Sequence, residues 1–535
     1  MKKKAIITLL YIIMCTVSVA QSTQNYVKAE ARNTNSVLMT SYQYYDGMGR
    51  PFEKVEKGIA SNGSNLIWLT DYDGIGRESK TWLPYNSSSD FVAVSSVRTS
   101  AVSSYSDNYP YSQHIYEQAP LNRIVQEQGI GQVWQSHKQA TDYMLNTGNY
   151  PLNCKNYYVN TSGSLADNGY YAADMLNVRK LTDEDGQATY EFYDKQERMV
   201  LQRRMLSNSS SADTYYVYDY RGDLRFVLQP EYQNNSSISL FAFQYKYDSR
   251  HNVTEKKLPG ADAVKYAYDK ANRLTYSQDG VQRQKGRLTF MLHDVQGRLV
   301  LQGNCSGYSL PDVSGTFVNA SRGTSGGIGG SGYSANITLS DAKVEQAHYY
   351  DDYTFKTSAL GFGNSALIAG TVSAKGYETG SRIATLETTP SNCYTVRHYD
   401  IKGRVTKTIS TNHLGGTETV TTTYGHTEKP LTVTHQHTAP GKATQTELLT
   451  YTYDQADRLT SLTHKLNGNA AVTLKNNTYD IYGRLRSCYV MNKEAVTYNY
   501  NIRNWLTSIS STNFQESLVY VGGLHPRFNG NVAYM

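Results

Sequence analysis

The residues whose types and spacing could do chemistry are few. His435 and His437 lie two apart, which puts two imidazoles on one face of an extended strand, with His413 and His426 near enough in sequence to complete a metal set. Two histidines at that spacing more often line an exposed strand face, so no metal centre is expected. Gly327-x-Gly329-x-x-Gly332 matches the dinucleotide fingerprint and Gly323-x-Ser325-x-Gly327 the nucleophile elbow. Neither has the strand before it or the helix after it that would aim a phosphate or a serine, and the following Asn336-Ile337-Thr338-Leu339 reads as a strand. Glycine-rich sequence produces both patterns by composition. Asp183-Glu184-Asp185-Gly186 lacks the alternating acids and distal Glu of a calcium loop and reads as a turn. Beyond the leader, Cys154, Cys305, Cys393 and Cys488 are far apart with no CxxC spacing. They indicate neither zinc nor a redox motif, and their three possible pairings stay open. The sequence therefore offers no catalytic residue, no cofactor site and no metal site.

Most of the acids belong instead to a phrase that organises the chain. Tyr45-Asp46 leads to Gly49-Arg50, and Tyr72-Asp73 to Gly76-Arg77. Tyr193-Asp194 leads to Arg198, Tyr218-Asp219 to Leu224-Arg225, and Tyr268-Asp269 to Arg273. His293-Asp294 leads to Gly297-Arg298, Tyr399-Asp400 to Gly403-Arg404, Tyr453-Asp454 to Arg458, and Tyr479-Asp480 to Gly483-Arg484. Tyr247-Asp248 and Tyr500-Asn501 are looser copies. Adjacent copies are 21 to 29 residues apart, the range of a stacked repeat array.

Each phrase has the composition of a hairpin corner. Tyr ends a strand with a large ring and a hydroxyl that can reach water. Asp holds the turn through backbone amides, and Gly, Asn or Asp accepts the positive φ. Arg re-enters a strand, where its guanidinium can pair with the Asp or stack on a neighbouring Tyr. One unit cannot bury its apolar face alone, so the repeat predicts a long antiparallel sheet that curls as it stacks.

On those residues the chain resembles the YD-repeat, or RHS-repeat, family of bacterial secreted proteins, from about Tyr44 onward. Its front, with Tyr44-Tyr45-Asp46-Gly47-Met48-Gly49-Arg50-Pro51 and Tyr116-Glu117-Gln118-Ala119-Pro120-Leu121-Asn122-Arg123, is similar to the N-terminal domain of Bacteroidota-type RHS proteins. The resemblance implies a β shell, closed by a core segment that cuts the chain at aspartates in an Asp-Pro-x-Gly setting, with a variable toxin held inside. No Asp-Pro-x-Gly occurs here. The shell carries over, and the protease and toxin do not. The array reads as truncated, ending on residues 528–535 as if another strand were starting. A toxin or core segment encoded downstream is the partner this implies.

Forty-seven tyrosines and 41 glycines in 535 residues fit β structure with many turns, and such aromatic richness opposes disorder despite a mean hydropathy of −0.55. Residues 1–20 have the lysines, apolar run and Ser18-Val19-Ala20 end of a cleaved signal peptide. Cleavage lowers the net charge from +6 to +3 (49 basic against 46 acidic residues), with the signs interspersed and no nucleic-acid footprint. No later stretch is long enough to span a bilayer. The expected destination is the periplasm, the outer surface or the medium.

The organisation expected is an all-β chain in five parts. After the signal come an N-terminal RHS-associated domain (21–185), a first repeat block (186–300), a Gly/Ser-containing insertion (301–392) and a second repeat block (393–535). Residues 121–145 carry the one helix signal, broken by Gly129 and Gly131, and 321–334 read as a mobile loop. The leading functional reading is a non-catalytic secreted shell. The alternatives are a carbohydrate-binding or adhesion module, with tyrosines stacking on sugar rings, and a hydrolase hidden in the leader or the insertion.

Overall fold

A computed structural model describes residues 24–385, 387, 391–491 and 493–535. The signal segment lies outside the described residues. Within them the chain is nearly all antiparallel β, with one sheet of 33 strands and two separate hairpins. Strands pair in chain order. Asn25–Arg32 pairs with Leu38–Tyr45, which pairs with Pro51–Glu56, and so on to Leu506–Ser510 and Gln515–Ser517. Strand lengths run from 3 residues at Tyr85–Ser87 to 11 at Ala374–Ala384.

A meander of this kind has two rims. The Tyr-Asp corners all connect strands at one rim, which they share with other links such as 352–373 and 425–429. The sheet also runs through the Gly/Ser-containing region. Leu299–Ser306 pairs with Lys343–Asp351, which pairs with Ala374–Ala384, which pairs with Asn392–Tyr399. The intervening segments fold back over the sheet. Ala320–Arg322 pairs with Tyr333–Ala335, and Ser331 and Tyr333 are buried. Gly327, Gly329 and Gly332 in this stretch sit where neighbouring atoms leave little room for a side chain. A Cβ at Gly327 would come 2.5 Å from the Tyr333 carbonyl. Residues 336–339 are not a strand; the strand ends at Ala335.

The helix is elsewhere than expected. Residues 121–145 form the strands Ile124–Gln128 and Gln139–Leu145 around a short 3-10 turn, and the long helix is Val94–Tyr105. Its Ser- and Val-rich sequence has poor intrinsic propensity. It forms because Val97 and Ala101, one turn apart, are fully buried on the first strands.

Three apolar clusters stabilise the sheet. One lies under that helix, one under the hairpin Lys155–Val159/Leu165–Tyr170, and the largest under the segments between 307 and 373. Tyr349 and Phe355 are both fully buried in the last, their rings 4.6 Å apart. Beyond Ile409, among the described residues, only Cys488 and Phe528 are buried hydrophobics. The last hundred residues are thus a single sheet layer with almost no core of its own. Residues 528–535 do not begin a strand; they fold back so that Tyr534 bridges Val519.

Candidate functional site

The repeated phrase builds one corner geometry. The Asp46 amide donates to the Arg50 carbonyl and the Gly49 amide to the Asp46 carbonyl, both at 3.0 Å. That is a type I turn followed by a left-handed residue and a bulge, where Tyr44 faces Glu53 but Tyr45 faces Pro51. One oxygen of Asp46 accepts the amides of Met48 and Arg50, each at 2.9 Å. The other accepts Arg50 Nε at 2.7 Å. The same Nε–Oδ2 bond, 2.6 to 2.9 Å, joins Arg77 to Asp73, Arg198 to Asp194, Arg273 to Asp269, Arg298 to Asp294, Arg404 to Asp400, Arg458 to Asp454 and Arg484 to Asp480. In the Asp46, Asp73, Asp194, Asp269 and Asp400 corners these bonds hold the carboxyl below its usual range. The backbone amide of Arg50 is the largest influence holding Asp46 down. At Asp269 burial opposes ionisation, but the Arg273 guanidinium and amides still hold it below the usual range.

The left-handed position is Gly49, Gly76, Gly297, Gly403 and Gly483 in five corners, at φ between +78° and +92°. Glu197, Asn272, Asp457 and Asn504 occupy it in others. The Asp219 corner closes differently from the reading Leu224-Arg225. Asp219 bonds to Asp223, Gly222 takes the positive φ, and Asp223 stands where the repeat has Arg. Leu224 and Arg225 already lie in the next strand, and Arg225 reaches Asp219 only at 3.5 Å. Asp223 instead accepts His251 Nδ1, at 2.6 Å, from the Asp248 corner. The looser copy at Asn501 and the turn read at Asp183 share this geometry. Asn501 closes on Trp505, and Asp183 closes on Gln187 at the opposite rim.

Corners are then tied to one another. The Arg that pairs with its own Asp also lies over the Tyr of the next corner. Arg50 covers Tyr72 at 4.6 Å, Arg198 covers Tyr218 at 4.9 Å, Arg404 covers Tyr424 at 4.6 Å and Arg458 covers Tyr479 at 4.7 Å. That Tyr's hydroxyl donates back to the carbonyl just after the Arg: Tyr72 to Pro51, Tyr218 to Met199, Tyr424 to Val405 and Tyr479 to Leu459, at 2.7 to 3.1 Å. Pairing and stacking, posed as alternatives by the sequence, occur together. Tyr193 departs from this and donates to Glu191. Tyr45, Tyr268 and Tyr399 end their strands opposite Pro51, Leu274 and Val405 at the same bulge.

The third level is a seam. Corners of the last hundred residues dock on the opposite rim of the first two hundred. The Thr34 amide donates to Asp457 at 2.8 Å, across 423 residues of chain. Arg458 reaches the Ile59 carbonyl at 3.1 Å and Tyr482 stacks on Tyr105 at 4.7 Å. Arg503 lies between Trp134 and Trp505, and Trp134 Nε1 donates to the Phe528 carbonyl at 2.9 Å. The Phe528 amide donates to Asp185 at 2.5 Å, across 343 residues. The sheet thus curls until its second turn rests on its first. The sequence has no local signal for this, because the partners lie 343 to 423 residues apart.

The residues weighed for chemistry are engaged structurally. His435 and His437 both contact Glu418, at 2.8 and 2.5 Å, and His413 and His426 do not join them. Among the described residues no group of three or more potential ligands is arranged to hold a metal. Cys154, Cys305, Cys393 and Cys488 are all free thiols, the first, second and fourth buried. No helix among the described residues is long and apolar enough to cross a membrane.

Residues 16–147 match a family described as a domain of unknown function, DUF6443. No curated protein matches the chain in sequence. Solved structures match over nearly its whole length. The crystal structure of TcdB2-TccC3 superposes with a TM-score of 0.62 at 13% identity, covering 93% of this chain and 23% of that one. TcdB2-TccC3-TEV gives 0.61 at 14% identity, over 92% and 22%. The Photorhabdus luminescens Tc holotoxin pore, carrying a TccC3 variant, gives 0.60 at 13%, over 92% and 22%. The chain spans less than a quarter of the length of those solved chains and shares their fold.

Proposed function

We propose that this chain is a secreted, non-catalytic RHS-type shell wall, the N-terminal portion of a polymorphic-toxin or cell-surface contact protein. The observation that carries the reading is the seam, because a sheet whose second turn docks on its first makes a continuous wall. The fold shared with the TcdB2-TccC3 structures over 92 to 93% of this chain supports it. Export rests on the signal-like residues 1–20, and a toxin or core segment encoded downstream is the partner. The domain plan is the one set out above, an RHS-associated front followed by two repeat blocks separated by the 301–392 insertion.

A carbohydrate-binding role would have to rest on exposed tyrosines outside the ladder, such as Tyr220 and Tyr308. The ladder tyrosines have one ring face under a guanidinium and their hydroxyls bonded to carbonyls, so they are not free to stack on sugars. A competition assay tests the leading reading. Cells lacking the gene should lose their advantage over susceptible neighbours, and restoring the wild-type gene should return it. Equal competitiveness of the deletion strain under cell contact would overturn it.

A further inference from the structure

Glu53 is a fully buried carboxyl with no cation beside it. It sits in Pro51–Glu56, opposite Tyr44 on one neighbouring strand and Leu69 on the other, inside the first apolar cluster. One oxygen accepts the Val92 amide at 3.1 Å, and the other is buried without a partner. A carboxylate in such a place is costly, whereas a protonated carboxyl is tolerated.

The Val92 amide belongs to a strap, residues 87–93, that leads into the helix Val94–Tyr105. Asp90 anchors the strap, taking Lys57 Nζ at 2.8 Å and Asn65 Nδ2 at 3.2 Å, while the Tyr44 hydroxyl donates to its carbonyl at 2.5 Å. On the helix, Arg98 is bound to Asp71 at 2.6 Å. The charged and titratable groups around Glu53 are therefore Tyr42, Tyr44, Asp90, Lys57, Asp71 and Arg98. Both cations are committed to other carboxylates. The helix ends in Tyr105, the residue on which Tyr482 of the second turn is stacked.

We infer that Glu53 is a proton-operated latch: protonated, it holds the strap and helix that clamp the second turn, and deprotonated, it loosens them. The direction follows from linkage. Burial pushes the Glu53 carboxyl up to about 7, from 4.5. The stabilisation is complete below 4.5 and is lost as pH rises through 7.

Hydrogen exchange on the full chain, corrected for the intrinsic pH dependence of exchange, tests this between pH 4.5 and 8. In the wild type, opening of the 92–105 amides should rise on the order of 100-fold, because each unit within the window is tenfold. The Asp480 corner, which carries Tyr482, should open in parallel. Glu53→Gln keeps the shape without the charge, and both regions should become flat with pH. An equal rise in Glu53→Gln, or a flat wild type, overturns the latch. A strap that responds while the Asp480 corner does not overturns its link to the seam.

Discussion

At the scale of residues, the corner is a small closed circuit in which one Asp oxygen takes the two turn amides and the other takes the Arg Nε. The copies differ in depth. The Asp269 side chain is 1% exposed, and it also accepts the Val318 amide at 3.3 Å, from the segment folded over its corner. Removing it leaves the Arg273 guanidinium with neutral acceptors only, so Asp269→Ala should cost about 3–5 kcal/mol, the usual loss when one half of a buried pair is deleted. Asp46→Ala, at a corner open to water, should cost clearly less; equal losses in chemical denaturation would contradict this account of burial. Glu197 holds the left-handed position at φ +60°, where five other corners have glycine. Glu197→Gly should therefore stabilise by about 0.5–1 kcal/mol, the strain relieved slightly exceeding the entropy added to the unfolded chain. A destabilised variant by thermal melting would show that its side chain matters more than its backbone. The sequence made the Asp–Gly–Arg half of this legible, because the residue types are those a bulged turn requires. It obscured the Asp219 corner, where Leu224-Arg225 looks like the motif ending but Gly222 decides the turn.

At the scale of elements, the strands were legible from period two and from tyrosine and glycine usage, while the helix was not. Val94–Tyr105 has no amphipathic pattern strong enough to announce it and exists by packing on strands that precede it. The small hairpin that frames 321–334 was missed for a related reason. Glycine and serine read locally as freedom, yet here they permit backbones to approach, and Ser331 and Tyr333 are buried beneath them. Burial also divides the strands by stability. Arg287–His293 alternates buried and half-buried residues, with Leu288, Phe290 and Leu292 inside, whereas Thr417–Tyr424 has no buried residue. Hydrogen exchange should find amides of the first strand protected well beyond those of the second. Equal protection would mean that the second turn has support not visible in its own packing.

At the scale of the molecule, the claim is that ladder and seam together make a curled wall. The ladder is periodic and could be anticipated; the seam joins distant residues of ordinary type and could not. Acid should weaken the whole array. Asp194, Asp269 and Asp400 all titrate below the usual carboxylate value of 3.8, each despite its burial, because bonds from the corner Arg outweigh desolvation. Asp351, held chiefly by Arg298, is down to about 2. For such groups the stabilisation is present above 3.8 and lost as pH falls through the folded values, so unfolding by acid should set in below about pH 4. A melting temperature unchanged between pH 5 and pH 2 would contradict that. The seam is tested most directly by a disulfide across it. The hydroxyls of Thr34 and Thr427 lie 2.5 Å apart, across 393 residues. Thr34→Cys with Thr427→Cys should oxidise within a single chain, giving a faster-running band on a non-reducing gel and a linked peptide pair by mass spectrometry. A pair that stays reduced, or links only between chains, would contradict a second turn resting on the first.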